Sequence, residues 1–214
     1  MNVYLIEDEG GVTMFDAGIK EMASGLRKVT TEMGGLKRVV LGHSHVDHRG
    51  AAPLLDAPVF CHPDARDDAE ADRHIVDYSK LNPLSKVLYP RLFKRWNGGP
   101  IEIAGTVKEG EGIAGFEVVA VPGHARGMIA LWRESDRLAL ATDAFYTLNV
   151  ETSLPSKPLL AHAAFNLDPV EAAESLRKLA RLKPVTAWPG HAKAVTGDVE
   201  GILMRAADED PPGT

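Results

Sequence analysis

Short apolar runs and helical stripes alternate along the chain. Residues 3–6 and 12–15 are β-rich runs separated by the acids and glycines of 7–11, the pattern of an opening hairpin. Ile19, Met22, Leu26, Val29 and Met33 recur at helical spacing, and Gly34-Gly35 ends that run. Residues 38–41 predict a strand running into Gly42 and a histidine-rich loop. A helix carrying Leu54 and Leu55 is expected next, then a strand at 59–61. Strand-like runs return at 101–103, 116–121, 128–132 and 138–141. Residues 169–182 predict a helix with Asp168 as N-cap ahead of Pro169, and 185–188 a further strand. The closing D-E-D-P-P-G-T is expected to be a disordered tail, 209–214 lying outside the domain.

A hairpin, then alternating strands and helices, then the same alternation again, predicts a layered α/β sandwich and not an all-parallel doubly wound sheet. The chain has 214 residues with no repeat and no long linker, so residues 1–208 are expected to form a single domain. Residues 64–100 break the alternation. Residues 64–77 hold six acids against two arginines; residues 78–100 hold five bases (Lys80, Lys86, Arg91, Lys94, Arg95), no acid, and Tyr89, Phe93 and Trp96 between them. This segment is expected to be a helical cap that sets substrate choice. Either its bases receive a carboxylate on an apolar body, or its aromatics pack on the sandwich while its bases pair with the acids of 64–77.

Composition acts mainly by exclusion. Apolar residues at 44% and charged residues at 25% are ordinary globular usage. A net charge of -6 argues against a nucleic-acid partner, which calls for a basic face. No apolar run approaches the roughly 18–20 residues of a membrane span, and the N-terminus lacks the basic region of a signal peptide. The single cysteine, Cys61, cannot form an internal disulfide and reads as a small buried hydrophobe in a reducing compartment. These features predict a cytoplasmic protein acting on a small molecule, its oligomeric state open, with a homodimer among the options.

The chemistry concentrates in His43-Ser44-His45-Val46-Asp47-His48, directly after a strand. Three imidazoles and a carboxylate within six residues are poor packing material and good donors for zinc, iron or manganese. His124 in P-G-H-A-R-G, Asp143 in A-T-D-A-F-Y and His191 in W-P-G-H-A each lie a few positions beyond a predicted strand. A Pro-Gly-His turn lets the backbone approach closely and presents an imidazole at a sheet edge. A single histidine beside a strand is usually packing; five histidines and two aspartates, all at strand ends, predict a metal site. His62 and His162 are extra histidines near the same regions: His62, one residue past a strand, is placed to reach the rim, and His162 follows a flexible P-S-K-P-L-L stretch read as a lid. His74 is expected on the exposed acidic helix.

The combination H-S-H-V-D-H, P-G-H, T-D and P-G-H, running from the opening hairpin and Phe15-Asp16-Ala17-Gly18 to His191, resembles the metallo-β-lactamase superfamily. The resemblance implies a four-layer αββα sandwich with a binuclear site at one sheet edge. Carried over by position, His43, His45 and His124 would hold the first metal, Asp47, His48 and His191 the second, and Asp143 would bridge them. Two divalent ions are implied, zinc first, with iron or manganese as options. A hydroxide shared by the metals would attack a carbonyl carbon, with Asp47 orienting it and passing its proton to the leaving group. Asp16 is either a support for the metal loop or a turn carboxylate before Gly18.

For the substrate, the motifs resemble glyoxalase II, but only 23 residues follow His191, too few for the C-terminal domain of that enzyme. Tyr146, three residues after Asp143, resembles acyl-homoserine lactonases; its phenol either donates to a carbonyl or oxyanion or simply packs at a loop. Secreted β-lactamases and RNA-processing nucleases fit less well. The expectation is therefore a hydrolase of a small ester, lactone or thioester. A mononuclear iron persulfide dioxygenase on the same scaffold and a non-enzymatic metal-binding module are the rivals. Family members commonly carry strand sequence ahead of Asn2-Val3-Tyr4-Leu5-Ile6, so an edge strand is expected to be missing, or the start to lie downstream.

Overall fold

β1 (Tyr4–Asp8) and β2 (Gly11–Phe15) form the opening hairpin, in register from Tyr4 opposite Phe15 to Asp8 opposite Gly11. The computed structural model describes residues 1–71, 73 and 76–214. After β2 come α1 (Ala23–Glu32) and β3 (Leu36–Val40), which returns parallel to β2. Next are α2 (Val46–Arg49), β4 (Val59–Cys61), α3 (Arg66–Glu70), α4 (Pro83–Trp96) and β5 (Ile103–Thr106). These strands make one sheet in the order β1-β2-β3-β4-β5, parallel except for the first pair.

The second sheet begins with β6 (Gly112–Ile113), β7 (Phe116–Ala120), β8 (Ile129–Arg133) and β9 (Leu138–Thr142), paired antiparallel in sequence. A separate hairpin, β10 (Tyr146–Leu148) and β11 (Pro155–Leu159), precedes α5 (Pro169–Arg181). β12 (Thr186–Pro189) then lies parallel to β9, β13 (Val195–Thr196) turns back beside it, and α6 (Val199–Asp208) follows. The strand order is β13-β12-β9-β8-β7-β6.

Period-two alternation sorts the apolar side chains into three cores. Phe15, Val40, Val118, Leu131 and Leu140 meet between the sheets. Their chain neighbours Met14, Val39 and Leu41 face outward, joining Ala23 and Leu26 of α1. On the far side Val119, Ala130, Trp132 and Ala139 pack under Leu176 and Leu179 of α5 and Leu203 of α6. Helix, sheet, sheet and helix therefore stack as four layers, the αββα sandwich expected from the sequence.

Several expectations change. The helix predicted to carry Leu54 and Leu55 shortens to α2 and a 3-10 turn at Ala52–Leu54, because Pro53 cannot continue an α-helical ladder. The strand expected at 101–103 begins only at Ile103. The P-S-K-P-L-L stretch read as a flexible lid is β11; its two prolines are tolerated because it pairs on one side only, with β10, across an irregular register. α6 is not among the elements expected from the sequence, although Val199, Leu203, Ala206 and Ala207 are buried at helical spacing and Asp198 caps the helix by accepting from Gly201 N–H at 3.0 Å. The tail, read as disordered, instead turns back on residues 161–165. Pro211 is buried, and the Pro212 carbonyl accepts from Ala163 N–H at 2.7 Å. Asp72 and His74 lie outside the described residues.

Candidate metal centre

The candidate ligands all follow the C-terminal end of a strand: His43, His45, Asp47 and His48 after β3, His124 after β7, Asp143 after β9 and His191 after β12. β7, β9 and β12 run the same way, so their ends share one edge of the second sheet. The two sheets are joined at this edge by the Ile129 N–H to Gly42 carbonyl bond of 2.8 Å. His45 is extended and α2 starts after it, so Asp47 and His48 turn to a different position from His43.

The Pro-Gly-His turns depend on their glycines. Gly123 has φ +117 and packs on the backbone of Ala172 in α5, where any Cβ would collide. A Cβ on Gly190 would strike Asp143 Oδ1 and His48. The His191 turn is further tied to the N-terminal strand, Asn2 Nδ2 donating to the Pro189 carbonyl at 2.8 Å and the Ala192 carbonyl at 3.0 Å.

All seven predicted ligands meet in one cluster. His43, His45, His124 and Asp143 bring a donor atom each within 4.8 Å of one another, as do Asp47, His48 and His191. Asp143 faces both groups. Its Oδ1 is 3.2 Å from His48 Nε2, while its Oδ2 is 3.7 Å from His43 Nε2, 3.6 Å from His124 Nε2 and 3.4 Å from His191 Nε2. His191 Nε2 also lies 3.3 Å from Asp47 Oδ2.

Asp16 holds the rings from behind. Fully buried at φ +59, its Oδ1 accepts from Gly42 N–H at 2.7 Å. Its Oδ2 accepts from His48 Nδ1 at 2.8 Å and from the Thr142 hydroxyl at 2.8 Å. Thr142 Oγ1 is in turn 3.3 Å from His43 Nδ1. One carboxylate thus fixes the tautomers that leave Nε2 of His43 and His48 free to face the cluster. Of the two readings of Asp16, the support role is the one its contacts match. Thr142 shares that role, and Asn166 does the same for His124, its Oδ1 lying 3.1 Å from Nδ1. Sequence reasoning missed both. Thr142 adjoins Asp143 in A-T-D and was findable; Asn166 is far along the chain and gave no signal.

The donor chemistry fits a cation. His43 Nε2 and Asp143 Oδ1 are buried polar atoms without a hydrogen bond, and His45 Nδ1 meets His124 Nε2 at 3.0 Å. Burial keeps His43 and His124 below their usual range and takes His45 down to about 3, leaving neutral imidazoles of the kind that bind metals. Burial would raise Asp47 and Asp143, but His48 and His191 outweigh it and hold both carboxylates low. Asp143 and Asp47, with Asp16 at His48, overcome burial to push His48 and His191 up.

Above the cluster opens a cavity of about 230 Å³ with His45, Asp47, Asp143, Tyr146 and His191 on its floor. The buried Tyr146 hydroxyl donates to Asp143 Oδ2 at 2.8 Å. The wall comes from α4 (Tyr89, Phe93, Trp96), the β10–β11 hairpin (Leu148, Val150) and Phe165. Cap and hairpin are clasped: Tyr89 OH donates to the Val150 carbonyl at 3.0 Å, and Asn82 Nδ2 to Glu151 at 2.9 Å. None of the five bases of 78–100 lines the cavity, and Arg95 pairs with Glu21 instead of with the acids of 64–77. His62 caps a 3-10 turn through Asp64 N–H, and the buried His162 accepts from Ala164 N–H at 3.1 Å, so neither joins the cluster. Cys61 is buried, which pushes its thiol up to about 12. Among the described residues no helix is long and apolar enough to cross a membrane.

The family model of the metallo-beta-lactamase superfamily matches residues 2–191. The chain belongs to that superfamily. It is 30% identical to the "Probable metallo-hydrolase YflN" of Bacillus subtilis (strain 168), over 92% of this chain and 82% of the relative. The "Probable metallo-hydrolase YqjP" of the same organism is 25% identical over 97% of this chain and 71% of the relative. Among solved structures, TTHA1623 in a di-iron-bound form superposes with a TM-score of 0.68 at 26% identity, covering 96% of this chain and 92% of the other. The BLEG-1 B3 metallo-beta-lactamase, at 20% identity and a TM-score of 0.63, shares the fold, covering 97% and 92%. The protein is a metallo-hydrolase of this superfamily.

Proposed function

We propose a binuclear metallo-hydrolase that cleaves a small ester, lactone or thioester. His43, His45 and His124 would hold one divalent ion, Asp47, His48 and His191 the other, and Asp143 both, with zinc expected first and iron or manganese as alternatives. The observation that carries this reading is Asp143, whose Oδ1 lies beside His48 while Oδ2 lies beside His43 and His124. Such ions supply Lewis acidity, acidifying water toward neutral pH and polarising a carbonyl. The chain supplies the rest. Asp47 borders the cavity and is placed to take a proton from the attacking water and return it to the leaving group. Tyr146 OH now spends its one proton on Asp143, so it serves a developing oxyanion only by turning away from that carboxylate.

The test is metal content per chain on untagged protein, with turnover of an aryl ester, a lactone and a thioester. About two ions and hydrolysis of at least one substrate, lost on chelation and restored by metal, are expected. One iron per chain, no hydrolysis and oxygen uptake with a persulfide would overturn the reading. Bound metal with no turnover across the panel would leave a metal-binding module.

A further inference from the structure

The floor of the cavity carries carboxylates and imidazoles; its wall carries none. Tyr89, Phe93, Trp96, Leu148, Val150 and Phe165 make most of it, with Met1, Val76 and Ser153 completing the lining; the Tyr89 ring is tilted against Phe93 and edge-on to Phe165 at centroid distances of 5.5 and 5.2 Å. No lysine or arginine side chain is among the described residues lining the cavity. The bases of α4 are exposed, and Arg91 bonds back to the Val87 carbonyl of its own helix at 2.9 Å. A substrate arm lying against this wall would gain from apolar burial, whereas an anionic arm would be desolvated with no lysine or arginine among the described lining residues to meet it.

Resting on the hydrolase reading, we infer that the substrate carries a neutral, apolar arm beside its carbonyl, and that arms ending in a carboxylate are rejected. The apolar wall selects the arm; the metal cluster below acts on the carbonyl.

The inference is tested by binding of straight-chain primary amides of increasing length to metal-stripped protein, followed by tryptophan fluorescence and calorimetry. Each is compared with the amide of equal length ending in a carboxylate. The same length series of nitrophenyl esters is then turned over by the metal-loaded enzyme. Kd is expected to fall about fourfold per added methylene until the cavity fills, and the carboxylate-ended amide to bind about a hundredfold more weakly than its neutral partner. Phe93→Ala should weaken binding by a factor that grows with chain length. Val150→Arg, which places a cation in the wall, should recover binding of the carboxylate-ended amides, and it keeps the inference testable if Phe93→Ala fails to fold. Kd independent of length, or equal binding of neutral and carboxylate-ended arms, would overturn the inference. Length-dependent binding with no ester turned over would instead overturn the hydrolase reading and leave the arm selectivity standing.

Discussion

Beneath the floor of the cavity, Asp16, His43 and His48 are fully buried and joined through Thr142 into one hydrogen-bonded unit. The wall is built otherwise. Tyr89, Phe93 and Trp96 are half-buried on a helix whose neighbouring residues Leu84, Val87 and Leu88 are exposed, and hydrogen bonds from Asn82 and Tyr89 clasp it to the facing hairpin. A floor whose candidate ligand rings are held from behind by buried hydrogen bonds tolerates little change without losing its geometry. A wall held by ring contacts and a two-point clasp can exchange side chains and still fold. The difference separates the part of the chain that fixes the candidate ligands from the part that shapes the cavity above them.

The sharpest way to break the comparison is at the floor itself. His191→Ala removes a ligand outright. Loss of a ligand's supporting partner typically costs 10–100-fold, so turnover is expected to drop by more than about a hundredfold, with metal content reduced. Full turnover with the wild-type metal content would remove His191 from the site. Asp16→Asn is subtler, because asparagine tolerates the left-handed backbone that Asp16 adopts and only the carboxylate is lost. Metal affinity, measured by competition with a chelator, is expected to fall about 10–100-fold. An unchanged affinity would show that the rings hold their orientation without it.

On the wall, effects should be smaller and local. Asn82 caps α4 by accepting from Ser85 N–H at 2.9 Å and also reaches Glu151. Asn82→Ala should cost about 1 kcal/mol. It should speed amide exchange across α4 and leave metal content unchanged. Unchanged or slower exchange would remove Asn82 as the cap of α4, and loss of metal would mean that floor and wall are one cooperative unit.

The floor was readable because its ligands occur in short, chemically unusual strings at strand ends, such as H-S-H-V-D-H and the two P-G-H turns, and local spacing suffices to recognise them. The layered sandwich was readable for a similar reason: alternation sends Val39 and Val40, or Val118 and Val119, to opposite faces. The wall was not. Whether Phe93 and Trp96 or the bases beside them face the cavity depends on how α4 docks against the β10–β11 hairpin, and no local pattern encodes that. Asn166 was invisible for the same reason, since its meeting with His124 spans 42 positions. The P-S-K-P-L-L stretch misled because proline argues against a strand in general, yet an unpaired edge accepts it.

The proposed ligands are also spread in time. During synthesis, His43, His45, Asp47 and His48 leave the ribosome well before the others. The position they share with His124 closes only after the second sheet has begun to form, and the position closed by His191 waits for nearly the whole chain. Under the proposed assignment, neither position has its full set of donors until the second sheet is in place, so ligand geometry and fold are completed together.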